Sequence, residues 1–290
     1  MIRLRLQTNS PQIPIKECDP HMLDHYRLEE PRKTTLSAFD PDDTAGMKNK
    51  ETAMQEFHKL KEELLEEQEK LFASKAGSVL IIFQGMDCSG KDGVVKKVLA
   101  GLNPQGFRAV SFKKPIGEEL AHDFLWRCHK EIPPKGYIAA FNRSYYEDVL
   151  ITRVHGMINN KEAQRRLAHI RHFEELLTDS GTRVIKIFLH ISKEFQLKKI
   201  QERMENPEKL WKFDPSDLQE RRYWDQYVEA YEDVFKETST PECPWYIVPA
   251  NHRWFRDYLV QRIIADTFRD MKLSYPKADI GASGLLGPEG

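Results

Sequence analysis

The chain has 290 residues, enough for one large domain or a domain with an added subdomain, and its formal net charge of −1 gives no overall field to draw in a polyanion. No apolar stretch approaches membrane-spanning length, and Met1-Ile-Arg-Leu-Arg-Leu-Gln has neither a signal-peptide core nor a cleavage site, so a cytoplasmic protein without membrane contact is expected. The four cysteines, Cys18, Cys88, Cys128 and Cys243, are scattered without metal-like spacing and fit reduced thiols rather than a disulfide frame.

Residues 1–50 are rich in Pro and Asp and read as an irregular segment that wraps the surface, ahead of a main domain over 51–273. Met54, Phe57, Leu60, Leu64, Leu65, Gln68, Leu71 and Phe72 then recur at helical spacing with Lys and Glu between them. They predict an amphipathic packing helix of about five turns.

The apolar run 79–84 predicts a strand, and it ends in Gly85-Met-Asp-Cys-Ser-Gly-Lys-Asp-Gly93, followed by a helix-compatible segment to about Leu102. A strand, a glycine loop and a helix are the context in which G-x-x-x-x-G-K means a phosphate site. Glycines let the backbone curl its N–H groups inward, the helix N-terminus adds positive potential, and Lys91 adds a full charge. The expected phosphate cradle is Gly85, Met86, Cys88, Ser89, Gly90 and Gly93 around Lys91. The usual Ser or Thr after the lysine is replaced by Asp92, and a second carboxylate, Asp87, lies within the loop. Two carboxylates beside a phosphate repel it unless a cation lies between them, so the loop predicts Mg²⁺ held by Asp87 and Asp92. Cys88 stands where oxidation would block the cradle.

From Lys91 to Lys130 there are eight basic residues against four acidic ones. A solvated basic face would give the same count. Continuity with the loop favours a track for a long phosphate chain, and the lack of aromatic residues among the basic ones of the loop helix argues against nucleic acid.

Further strands are predicted at 107–113, 136–141, 183–190 and 245–248, with helical patterns between them. This alternation makes the fold α/β, a five-stranded parallel sheet flanked by helices. Ligands of such sheets bind at the carboxyl ends of the strands, which gathers Gly85, Lys113 and Asn142-Arg143 on one edge. In Asn142-Arg-Ser-Tyr-Tyr-Glu-Asp148, Arg143 can bridge phosphate oxygens with its planar fork. Asn142 and Glu147 could orient a metal, a water or an acceptor nucleotide, and a helix cap and a surface charge remain the alternatives.

The stretch 193–222 is dense in both signs of charge and is broken by Asn206-Pro207 and Asp214-Pro215. Two helices joined by a basic loop, inserted before the last strand, read as a helical lid that excludes water and supplies arginines during phosphoryl transfer. A salt-bridged exposed helix pair is the alternative. The ten histidines lack a Glu or Cys to complete a zinc set, and the tail 274–290, rich in small residues, reads as disordered.

From about Phe39 to about Phe268 these residues resemble the polyphosphate kinase 2 family. The loop resembles the family signature G-x-D-x-x-G-K-x-G. Ser111-Phe-Lys-Lys-Pro115, His122-Asp-Phe-Leu-Trp-Arg127, Asn142-Arg-Ser-Tyr-Tyr146, Trp211-Lys-Phe213 and Trp245-Tyr-Ile-Val-Pro-Ala250 are similar to further family motifs. The resemblance implies a P-loop kinase fold related to thymidylate kinases, Mg²⁺ as cofactor, and transfer of the terminal phosphate of inorganic polyphosphate onto nucleotides. Branches acting on nucleoside mono- or diphosphates usually carry Asp-Arg-Ser after the third strand. Asn142-Arg143-Ser144 is similar to a third branch that accepts both, which implies reversible passage from AMP through ADP to ATP.

Carried over by position, the resemblance implies a catalytic core of Asp87, Lys91, Asp92 and Arg143, with Arg203 reaching the transferring phosphate from the lid and Lys96, Lys97 and Lys113 along the polyphosphate track. Inorganic polyphosphate and adenine nucleotides are the implied partners, guanine nucleotides are a second candidate, and a homo-oligomer is implied. An ATP-dependent nucleotide kinase of thymidylate-kinase-like type is the alternative function, and a non-catalytic phosphate sensor is a third.

Overall fold

The computed structural model describes residues 21–28, 35–212 and 214–277. Residues 1–20 and 29–34 of the expected irregular segment, residues 278–290 of the expected disordered tail, Cys18 and Phe213 lie outside the described residues.

Five strands form one parallel sheet: β1 Ser78–Gln84, β2 Phe107–Ser111, β3 Ile138–Asn142, β4 Thr182–His190 and β5 Trp245–Pro249, in the spatial order β2-β3-β1-β4-β5. Every residue of β1 is buried, as its unbroken apolar run requires of a strand covered on both faces. The predicted strands sit where expected to within one residue at each end, apart from the start of β3 and the end of β2. β3 starts two residues later than predicted because Gly136 turns the chain at φ +90°, and it runs one residue further, to Asn142. β2 stops at Ser111, although Phe112 N–H still donates to Asn142 O at 3.1 Å.

Nine α-helices pack around this sheet among the described residues. α1 Lys50–Ser74 is longer than its apolar spacing suggested, because Asn49 caps it by accepting from Glu51 N–H at 2.8 Å. It packs Ala53, Phe57, Leu60, Leu64 and Leu71 on one face with α2 Lys91–Val98 and α9 Arg253–Met271. A short α3, Trp126–His129, lies between β2 and β3. The opposite face carries α4 Glu147–Val154, α5 Asn160–Asp179 and α8 Trp224–Thr238. The β5 edge is covered: Arg27 bridges Tyr246 in antiparallel fashion and Leu28 N–H donates to Trp245 O at 2.9 Å, which leaves less strand edge open to pairing.

Between β4 and α8 the chain makes the excursion anticipated as a lid: α6 Lys193–Glu205, a 3-10 turn at Leu210–Lys212, and α7 Pro215–Glu220. α6 buries only Gln196 and Ile200, and α7 buries none of its residues. Little apolar surface ties this excursion to the core, so displacing it costs little. No helix of the described residues is long and apolar enough to cross a membrane.

Candidate active site

Parallel pairing sets the site. Phe83 of β1 lies in register with Asn142 of β3, so the loops that leave the two strands start level with each other. Arg143 N–H donates to Phe83 O at 3.0 Å, which joins the loops at their roots. The loop after β1 then turns through positive φ at Gly85 (+149°), Cys88 (+68°) and Gly90 (+94°). A Cβ on Gly90 would lie 2.3 Å from the Arg256 guanidinium of α9, and one on Gly85 would lie 2.7 Å from Leu189 O. Both positions therefore need glycine for the turn, and Gly85 needs it also for its close approach to backbone.

Lys91 opens α2, and its ammonium is folded back into the loop, donating to Gly85 O at 2.6 Å and Met86 O at 3.2 Å. Burial, helped by the nearby Arg143 charge, pulls its pKa below the ordinary lysine value, against the opposing pull of Asp87, Glu147 and Asp92. Asp87 Oδ1 accepts from Arg143 Nη2 at 2.9 Å, and Gln196 of α6 donates to Asp87 O at 3.1 Å. Asn142 Nδ2 donates to Asp92 Oδ1. Of the catalytic group expected from the sequence, Asp87, Lys91, Asp92 and Arg143 thus cluster on the β1 and β3 loops, whereas Arg203 lies on α6.

Two cavities meet at this cluster. The larger, about 560 Å³, is lined by eight basic side chains against four acidic ones. Asp87, Cys88, Gly90, Lys91, Asp92, Gly93, Lys113, Asn142, Arg143 and Arg203 all reach its wall, as expected. The smaller, about 270 Å³, lies on the other side of Asp87 and Arg143 and is lined by Gly85, Met86, Glu147 and the aromatic Trp224, Tyr227 and Tyr231. Asp87, Arg143 and Asp217 line both. Arg203 Nη1 donates to Asp217 Oδ2 at 3.0 Å across the excursion.

Three expected residues are not brought to either cavity. Ser89 is buried beneath the loop, with its amide donating to Met86 O at 3.1 Å. Lys97 points the other way on α2: its ammonium pairs with the buried Asp257 at 2.9 Å and lies over the Phe57 ring. Lys96 is exposed one helical turn beyond Asp92, past the rim. The basic run 91–130 therefore contributes only Lys91 and Lys113 to the wall, because Arg127 is buried against Asp148 and Arg108 pairs with Glu131.

Beyond Arg143 and Arg203, the remaining positive charge comes from Lys199 and Lys209 in the charge-dense excursion and from Arg253 and Arg256 on α9, the last two not marked in the sequence. The rule that ligands gather at carboxyl ends of strands applies to β5 as well, and would have found the two arginines. Nothing in the sequence marked Trp224, Tyr227 and Tyr231 beyond their helical spacing.

Glu147 sits with its carboxyl pushed up by burial, against the lowering effect of Arg143 and Lys91. The Cys88 thiol is pushed up to about 11, first by burial, so it stays protonated near neutral pH and the oxidation considered from the sequence is disfavoured. Cys88, Cys128 and Cys243 are free, and among the described residues no group of three or more His, Cys, Asp or Glu side chains is placed to hold a metal.

A family model described as polyphosphate kinase 2 matches residues 47–276. The chain is 44% identical over 262 residues to the AMP/ADP-polyphosphate phosphotransferase of Meiothermus ruber, covering 90% of this chain and 98% of that one. It is 43% identical over 264 residues to the ADP-polyphosphate phosphotransferase of Rhodopseudomonas palustris, covering 87% and 91%. The crystal structure of a polyphosphate kinase 2 from Arthrobacter aurescens superposes with a TM-score of 0.86 at 40% identity, over 90% of this chain and 93% of that one.

Proposed function

Because this chain belongs to the polyphosphate kinase 2 family, we propose that it transfers the terminal phosphate of inorganic polyphosphate to AMP and ADP. The observation that carries the reading is the pair of cavities meeting at Asp87 and Arg143. The larger, basic one suits a long polyanion without a base to recognise. The smaller, walled by Trp224, Tyr227 and Tyr231, suits a nucleotide, whose base has a face to stack on these rings. The acceptor phosphate and the polyphosphate end then meet beside Arg143. The Meiothermus ruber relative, named for both AMP and ADP, supports both acceptors.

Mg²⁺ fits the donor set. Asp87 and Asp92 line the larger cavity beside Glu202 and Asp217, and among the described residues no three or more His, Cys, Asp or Glu side chains are placed to hold a metal, which suits an ion that takes one or two carboxylates and completes its shell with water and substrate phosphate. When bound it neutralises charge on the phosphates. The chain's own residues do the rest. Lys91 and the loop amides hold the phosphates, and Arg143 and Arg203 neutralise charge that spreads over the transferring group. The nucleotide oxygen attacks the terminal phosphorus in line while the bond to the penultimate phosphate breaks. That oxygen is already anionic at neutral pH, so no base is needed. Residues 193–222 act as the lid, and closure brings Arg203 to the phosphate and excludes water.

Purified protein given ADP, Mg²⁺ and polyphosphate, with no other donor, should form ATP, and AMP should be taken to ADP and then ATP. ATP that appears without polyphosphate, matched mole for mole by AMP, would instead indicate an ADP-scavenging nucleotide kinase.

Asn142 tests the acceptor side. Asn142→Asp replaces the amide that donates to Asp92 with a second carboxylate facing it. Like charges at this distance disfavour joint ionisation unless a cation joins them. Losing the charge-assisted bond is expected to lower turnover with AMP by about tenfold at limiting Mg²⁺, with recovery as Mg²⁺ rises. A Mg²⁺ titration at fixed AMP checks this, and an unchanged Mg²⁺ dependence contradicts it.

A further inference from the structure

Arg143 carries an unusual backbone. Its φ is +63°, a left-handed conformation that residues other than glycine rarely adopt, and with Asp87 and Asp217 it lines both cavities. Such a conformation persists only where the surroundings over-determine it. The surroundings here are a buried polar network directly behind the loop.

Ser144, Tyr145 and Tyr146, the three residues after Arg143, are fully buried. The Tyr145 and Tyr146 hydroxyls both donate to Glu174 Oε1 of α5, each at 2.8 Å. Lys186 of β4, itself fully buried, donates to Glu174 Oε2 at 2.6 Å and to Thr238 O, at the end of α8, at 2.6 Å. Trp245 Nε1 of β5 donates to Thr238 Oγ1 at 3.0 Å. Five elements are thereby fastened to one buried carboxylate–ammonium pair: the β3 loop, α5, β4, β5 and α8, the last of which carries Trp224, Tyr227 and Tyr231. Burial and Glu174 hold both tyrosine hydroxyls well above their ordinary pKa, so they remain donors throughout the working range.

This network touches neither cavity, and packing alone does not require it, since apolar side chains could fill the same space. What it does fix is direction. Two hydroxyls on adjacent residues converge on one carboxylate oxygen, which sets the orientation of the loop immediately after Arg143 and so the aim of the guanidinium towards Asp87.

We propose that Glu174 and Lys186, acting through the Tyr145 and Tyr146 hydroxyls, are positioning residues that hold Arg143 in its left-handed conformation at the point of phosphoryl transfer. The proposal rests on the transfer reaction assigned above, and the parent enzyme is the control that separates the two: a parent that makes no ATP from ADP and polyphosphate sinks that assignment rather than this one.

The test is a double-mutant cycle. Tyr145→Phe/Tyr146→Phe keeps both rings and removes both hydroxyls. It is combined with Arg143→Ala, and kcat and KM for polyphosphate are measured at a temperature where circular dichroism shows every variant folded. Misplacing the arginine is expected to lower kcat by about tenfold with little change in KM. Arg143→Ala alone is expected to lower kcat by about 100-fold or more. In the Arg143→Ala background, losing the hydroxyls should cost less than about twofold, because the group they aim is gone. Equal losses in both backgrounds, or a fall in Tm without any fall in kcat, overturn the proposal, because a purely structural role predicts them. If the double variant does not fold, Tyr145→Phe is read in the same two backgrounds by the same criteria.

Discussion

Replacing Lys91 with alanine is expected to lower turnover by about two to four orders of magnitude. The lysine has two tasks, and the alanine fails at both. Its ammonium closes the loop by donating to Gly85 O and Met86 O, and the residue lines the larger cavity beside Asp87 and Arg143. Losing the first task loosens the backbone turn, and losing the second removes charge from the place where phosphate must be held. Lys91→Arg separates them: it keeps a charge, but its planar fork cannot reproduce two donations into a tight loop, so it should recover only part of the rate. The pH profile provides an independent check. A lysine whose pKa is lowered by burial loses its proton at lower pH than an exposed one, so kcat/KM should fall on the alkaline side earlier than an ordinary lysine would predict. In the substrate complex the added phosphate charge favours the ammonium, so the corresponding fall in kcat should lie at higher pH. Near-normal turnover of Lys91→Ala, or alkaline limbs that coincide in the two profiles, would remove Lys91 from the catalytic group.

The elements that carry the site were legible in the sequence because each has a local cause. The run into Gly85 reads as a buried strand from composition alone, and the glycines and lysine that follow are constrained by backbone geometry within nine residues. Arg143 could be placed because it follows a strand, and parallel strands deliver their carboxyl ends to one edge. What the sequence obscured depends on helix rotation and on distant partners. Lys96 and Lys97 are lysines on the same short helix as Lys91, yet the turn of α2 carries Lys97 round to Asp257 of α9, a residue 160 positions away that no local pattern links to it. The converse holds for Arg256. It looks like one more charge in a long helix, but Asp257 pairs with it and Gly90 leaves room for it, so it lies against the phosphate loop. The aromatic wall of the smaller cavity was hidden for a similar reason, since Trp224, Tyr227 and Tyr231 show the same spacing whether they face a core or a ligand.

The largest loss of stability is expected from Lys186→Met. The substitution keeps most of the length and volume of the side chain but leaves Glu174 buried, at 2% exposure, without its cation. Removing one partner of a buried ion pair costs about 3–5 kcal/mol, because the remaining charge stays out of water with nothing to neutralise it. For a chain of this size that corresponds to a fall in Tm of about 10 °C. The double variant Glu174→Gln/Lys186→Met should recover most of the loss, since it removes both charges and keeps an amide oxygen for the two tyrosine hydroxyls. This order, in which the single variant is less stable than the double, distinguishes a charge effect from a packing effect: a cavity or clash at Lys186 would persist in the double. Thermal unfolding of the three proteins followed by circular dichroism decides it, and a Lys186→Met protein as stable as the parent, or a double variant no better than the single, contradicts the account. Recovered stability need not bring recovered turnover. The neutral amide is a weaker acceptor than the carboxylate, so the loop behind Arg143 is held less firmly in the double variant, and its kcat should stay below that of the parent even where its Tm matches.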